Sequence, residues 1–153
     1  MSTVVHRETV TVGEAFLAMV DSRADAPAIL NADLEVVLSW RDYGTQARRA
    51  ATGLAALGLG QGDTLGLLLS NRPEFHVADA GALLLGATPF SMYNTSAPEQ
   101  LTHLVADADC RIIITEAIKW VSCSGAEVLY IEKGVAPRSS APASATWNSG
   151  RLL

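Results

Sequence analysis

The sequence predicts an α/β fold, a mainly parallel sheet with flanking helices. Two observations carry this. From Ser39 onward the order of signals is helix, strand, helix, strand, helix, strand, the alternation of βαβ crossovers. The strand candidates Thr64 to Leu69 and Arg111 to Thr115 are nearly continuous apolar runs, as expected of strands covered on both faces.

Each element has its own local reason. Thr11-Val12-Gly13-Glu14 has the spacing of a capping box, in which hydroxyl and carboxylate satisfy free amides at a helix start. Val12, Ala15, Phe16, Met19 and Val20 then recur on one helical face. Ala28 to Asn31 and Glu35 to Trp40 are short extended pieces separated by Ala32-Asp33-Leu34, which predicts a hairpin. Ser39 caps a second helix, with Asp42 near its positive end. Its buried stripe is Trp40, Tyr43, Ala47, Ala51, Leu54 and Leu57, and Gly58 stands where a left-handed C-cap is expected.

Asn71-Arg72-Pro73-Glu74 opens the third helix, with Pro73 in the first turn, where its missing N–H costs nothing. Phe75, Ala78, Ala82 and Leu85 continue its face, Gly86 ends it, and Ala87 to Phe90 is extended. Ser96-Ala97-Pro98-Glu99 reads as a further capping box, followed by Leu101, Leu104, Val105 and Ala108 at helical spacing. Glu127 to Ile131 is a weaker strand. Lys133 to Leu153 carries Pro137, Pro142 and a Ser/Ala run without helix or strand period, which predicts a disordered or loosely packed tail. The expected organisation is therefore a folded region over 1–132 and a divergent tail over 133–153.

Composition excludes several function classes. Hydrophobic residues make up 49% and charged residues 18%, which belongs to a globular chain. The net charge of −5 and the lack of a Lys/Arg cluster argue against nucleic acid. Arg48-Arg49, the adjacent basic pair, falls on a helix and reads as its solvated edge. All 16 acidic residues lie at or before Glu132 against eight bases, a charge of −8, whereas the three bases of the tail carry +3. Two cysteines, Cys110 and Cys123, make neither a disulfide framework nor a four-ligand zinc site. The N-terminus has no apolar signal core, and the charge-free run Ala80 to Pro98 is broken by Gly81, Gly86, Pro89 and Asn94. A reducing cytoplasm is the expected compartment, with no transmembrane segment.

Gly58-Leu59-Gly60-Gln61-Gly62 suggests a phosphate-binding turn, but a helix precedes it and a strand follows, the reverse of the required order. Asp63 stands where a further glycine would be needed. His76 with Asp79, and His103 with Asp107, could meet across one helical turn and read as surface pairs rather than metal ligands; His6 stands apart from both. Ser122-Cys123-Ser124-Gly125 has no base nearby, Cys110 reads as a core thiol, and Asp107 with Asp109 as a solvated turn. Asn94-Thr95-Ser96 matches the glycosylation pattern, which is uninformative without secretion. Trp40, Tyr43 and Phe75 fit core positions.

In order and spacing, several of these devices resemble the N-terminal region of the acyl-adenylate-forming ligases, over about Thr9 to Thr115. The matching pieces are Pro27-Ala28-Ile29, Ser39-Trp40-Arg41-Asp42-Tyr43, Gly53-Leu54 and Leu57-Gly58-Leu59-Gly60-Gln61-Gly62-Asp63. They continue with Leu69-Ser70-Asn71-Arg72-Pro73-Glu74-Phe75, Leu84-Leu85-Gly86-Ala87-Thr88-Pro89, Asn94 and Glu99-Gln100-Leu101. The wording of Asn71 to Phe75 and of Phe90 to Thr95 is most similar to fatty-acyl-CoA synthetases.

The resemblance implies an incomplete N-terminal subdomain of such a ligase. The family joins a carboxylic acid to CoA through an acyl-AMP intermediate, using ATP and Mg²⁺. Its phosphates are held by a Ser/Thr/Gly-rich loop ending in Pro-Lys, and a C-terminal lysine serves adenylation. Neither motif stands in this sequence. The resemblance therefore implies no catalytic, cofactor-binding or metal-ligating residue here, no cofactor bound by this chain, and no activity of the chain alone. It also implies self-association or pairing with the remainder of a synthetase, because the missing segments would leave apolar surface and strand edges uncovered. Two alternatives stand beside it: a non-catalytic interaction module, and a small nucleotide-binding α/β protein.

Overall fold

The computed structural model describes residues 11–116 and 126–130. Helix α1 (Val12–Ser22) is followed by a hairpin of β1 (Pro27–Leu30) and β2 (Val36–Ser39), then α2 (Trp40–Ala56) and β3 (Thr64–Leu68). Helix α3 (Pro73–Leu84), β4 (Thr88–Ser91), α4 (Pro98–Asp107), β5 (Cys110–Thr115) and β6 (Glu127–Tyr130) complete the order. The predicted tail over 133–153 lies outside the described residues.

Strands β3 to β6 form one sheet in the order β4-β3-β5-β6, and every neighbouring pair is parallel. The period-two pattern sorts the apolar runs onto two faces. Leu65 and Leu67 of β3, with Ile112 and Ile114 of β5, pack against Leu54 of α2 and Ala78 and Ala82 of α3. Leu68 and Ile113 point the other way, toward Leu101 and Val105 of α4. Helices thus cover both faces, which is why these strands read as continuous hydrophobic runs. At β4, the N–H groups of Thr88 and Met92 donate toward the Asp63 and Leu67 carbonyls. By the same alternation the nitrogen of Pro89 faces outward, removing a donor from the open edge.

The hairpin is a separate antiparallel pair lying on α2 and α3, where Leu38 and Ile29 join Ala50, Val77 and Tyr43. Its turn is built by Asn31, whose Oδ1 accepts the Asp33 and Glu35 amides at 3.0 and 2.9 Å. Phe16, Trp40 and Tyr43 make an aromatic cluster, with Phe16 edge-on to Tyr43 at 4.9 Å.

Most local expectations hold. Thr11 and Glu14 form the reciprocal cap, Ser39 Oγ accepts the Asp42 N–H at 3.1 Å, and Gly58 adopts φ +87°. Arg48 and Arg49 are exposed. Two expectations are corrected. Val12 and Ala15 are exposed, because α1 turns Gly13 rather than Val12 toward the backbone of α3. The N-cap of α4 is Ala97, not Ser96, so the box is shifted by one residue and half made. Gln100 Oε1 accepts the Ala97 N–H at 3.1 Å, but alanine offers no acceptor in return.

Candidate functional site

In an open parallel sheet, ligands bind beyond the carboxyl ends of the strands, at the crevice where neighbouring strands lead away in opposite directions. Here that crevice lies between β3, which leads out to β4, and β5, which leads the other way to β6. A polar cluster meets just beyond both strands. Glu116, following β5, accepts the Ser70 backbone N–H on Oε1 at 2.7 Å. Its Oε2 accepts from Arg72 Nη1 at 3.0 Å. Arg72 spends the rest of its fork on Glu74, Nε to Oε2 at 2.9 Å and Nη2 to Oε1 at 3.0 Å. Asn94, following β4, donates from Nδ2 to Glu116 Oε1 at 3.5 Å. One carboxylate therefore ties together the ends of three strands.

The charges settle each other. The Arg72 guanidinium, hydrogen-bonded to Glu74 and Glu116, is raised further above its already high pKa. The Arg72 hydrogen bonds hold the Glu74 carboxyl below its usual value despite burial. For Glu116, burial favours the neutral acid, but the Ser70 and Arg72 contacts outweigh it and the carboxyl is also lowered. Both acids stay ionised at neutral pH, so neither is poised to donate or take a proton. Asp79 behaves differently: burial raises its carboxyl, partly opposed by His76 on the same helix. Tyr43, whose hydroxyl donates to the His76 carbonyl at 3.0 Å, is raised to about 12 by burial and by Asp79.

The glycine turn lies at the other, amino end of the sheet, leading into β3. Its amides are already used. Gly58 N–H donates to the Ala55 carbonyl, Gly60 N–H to Asp63 Oδ2 at 2.7 Å, and Gly62 N–H to the Gly86 carbonyl. Asp63 thus occupies the place a phosphate oxygen would need. Cys110 is buried in β5 with its thiol toward the Ile112 carbonyl at 3.1 Å, the interior thiol that was expected. Asp107 and Asp109 are exposed, and Asp109 turns the chain into β5 at φ +46°. Asn94 of the glycosylation pattern is partly buried against Glu116. His6, Cys123 and the Ser122 to Gly125 stretch lie outside the described residues.

The resemblance named ATP, Mg²⁺ and CoA for its family. Among the described residues no three His, Cys, Asp or Glu side chains are placed to hold a metal ion. The turn amides are bonded within the chain, and the Ser70 N–H and Arg72 Nη1 at the crevice donate to Glu116. Sequence reasoning missed the crevice cluster altogether. Arg72 and Glu74 read only as a helix start, and Glu116 lies 44 residues away from Arg72. The available signal was a carboxylate directly after the most apolar strand.

The family match and the fold together give the class: an α/β N-terminal subdomain of the adenylate-forming kind. The N-terminal subdomain of Klebsiella oxytoca NpsA shares the fold at a TM-score of 0.71 and 20% identity, over 80% of this chain and 32% of that one. A Mycobacterium tuberculosis fatty acyl CoA synthetase does so at 0.65 and 24% identity, over 69% of this chain and 21% of that one. The family of AMP-binding enzymes matches residues 16–148, and the chain belongs to it. Among its relatives, the uncharacterized protein Rv1549 of Mycobacterium tuberculosis is 40% identical over 84% of this chain and 74% of its own length. A 4-coumarate–CoA ligase of Oryza sativa is 29% identical over 71% of this chain, which spans only 20% of that ligase. No helix of the described residues is long and apolar enough to cross a membrane.

Proposed function

We propose that this chain provides the opening scaffold of a fatty-acid–CoA ligase and does not by itself activate a carboxylic acid. Family membership and the names of its relatives support the ligase class; these include a long-chain-fatty-acid–CoA ligase of Xenopus laevis, 29% identical over 75% of this chain, beside 4-coumarate ligases. The observation that carries the inert reading is the state of the backbone donors. Gly60 N–H and Ser70 N–H, at opposite ends of β3, each point at a carboxylate of the chain itself. Acyl-AMP formation needs preorganised donors aimed at developing phosphate charge, and these are spent.

The test is ATP–pyrophosphate exchange by the purified chain with a long-chain fatty acid and with 4-coumarate. No exchange is expected with either acid. Exchange well above a no-enzyme control would overturn the proposal.

A second reading, a module that pairs with another chain, draws on exposed apolar residues of the hairpin. Leu30, Leu34, Val36 and Val37 are 46%, 78%, 54% and 42% accessible, and Leu30 and Val36 are cross-strand partners. Co-purification with a separately expressed remainder of a synthetase, with recovery of exchange activity, would favour it. A chain that stays monomeric and inactive in that mixture would count against it.

A further inference from the structure

Three N–H donors converge on the crevice between β3 and β5 from separate parts of the chain: the Ser70 amide, Arg72 Nη1 and Asn94 Nδ2. Arg72 and Glu74 neutralise each other through a bidentate pair, so Glu116 is the anion left over. Its carboxylate is held as a bound oxyanion is held, by a backbone amide on one oxygen and a guanidinium on the other. The Arg72 side chain is 17% accessible and Asn94 is half-buried, so these two donors are largely withdrawn from water, while Ser70 stands at the exposed rim. A half-buried N–H that loses its acceptor bears a desolvation cost, and that cost favours any anion able to fill the gap.

We propose that Ser70, Arg72 and Asn94 form an oxyanion cradle at the strand crossover, in which Glu116 is the chain's own occupant. A small free carboxylate or phosphate takes this position when the Glu116 side chain is removed. The cradle is independent of the ligase reading, because it concerns an internal contact and not a reaction. Glu116 is then a built-in plug that keeps anionic ligands out of the crevice.

The test uses the full chain and its Glu116→Ala variant. Thermal unfolding is followed in rising sodium acetate or inorganic phosphate, with sodium chloride at matched ionic strength. The variant should show a saturable rise in Tm with acetate or phosphate that chloride does not reproduce, and the wild-type chain should not. The two salts distinguish a carboxylate cradle from one that prefers phosphate. Exchange of the Ser70 amide, read by NMR, should be fast in the variant and slow again when acetate is added. Adding Arg72→Met should abolish the response. Equal shifts with chloride, or an acetate response that survives Arg72→Met, would overturn the cradle. Should Glu116→Ala fail to fold in chloride, refolding only in acetate or phosphate supports the proposal, and no recovery in either overturns it.

Discussion

Gly81 of α3 lies so close to Ala50 of α2 that a Cβ built on the glycine would stand 2.8 Å from the alanine Cβ, and 3.1 Å from the Ala51 nitrogen. The two helices therefore meet nearly backbone to backbone, and together they form the layer that covers one face of the sheet. Ala47, Ala50 and Ala51 of α2 are the small residues that permit this approach. Gly81→Ala should cost about 1–3 kcal/mol by overpacking, although alanine returns up to about 1 kcal/mol in helix propensity. Gly53 of α2 is the control, because nothing lies within 4 Å of its added Cβ. Gly53→Ala should stabilise by up to about 1 kcal/mol. Urea unfolding of both variants checks the pair; equal effects would refute the close-packing account.

The Arg72 cluster sets an acid limit on stability. Glu74 and Glu116 have folded-state values below their ordinary 4.5. The unfolded chain thus binds protons more readily, and their contribution is complete above about pH 4.5. It is lost as pH falls through the lower folded-state values. Arg72→Met should flatten that acid-side slope and lower stability at neutral pH. Denaturant midpoints measured from pH 7 down to pH 3 test this, and an unchanged slope would contradict it.

Asp79 has the opposite sign. Burial raises its folded-state carboxyl above the ordinary 3.8, so the folded chain holds the proton more tightly and stability declines as pH rises past that value. Asp79→Asn should raise Tm at pH 7, and the gain should disappear at pH 3, where the wild-type acid is neutral. A loss of stability at pH 7 would show that the charge has a favourable partner.

Helix α4 begins at Ala97 with extended backbone, φ −67° and ψ 150°, and with no side-chain acceptor. Ala97→Ser supplies that acceptor in a backbone already suited to it. A gain of about 0.5–1 kcal/mol is expected, measured by denaturation, with Ser96→Ala nearly neutral. The reverse ranking would restore Ser96 as the cap.

What the sequence determined by itself was most of what has a short-range cause, the α4 cap, one residue off, being the exception. The caps at Thr11 and Ser39, the left-handed turn at Gly58 and the buried runs of β3 and β5 follow from residues within a few positions of one another. Alternation of these pieces was enough for a parallel α/β sheet, and the order helix–glycines–strand was enough to set aside a phosphate loop. Periodicity could not rotate α1 correctly. Val12 and Gly13 differ by one helical step, and which of them faces α3 depends on how near a backbone from elsewhere in the chain approaches. The crevice was hidden for the same reason. Ser70, Arg72, Asn94 and Glu116 follow three different strands, and only the order β4-β3-β5 brings those strand ends side by side. Hydrogen bonds act over about 3 Å, so a constellation assembled across 46 residues exists only once the sheet has closed the distance.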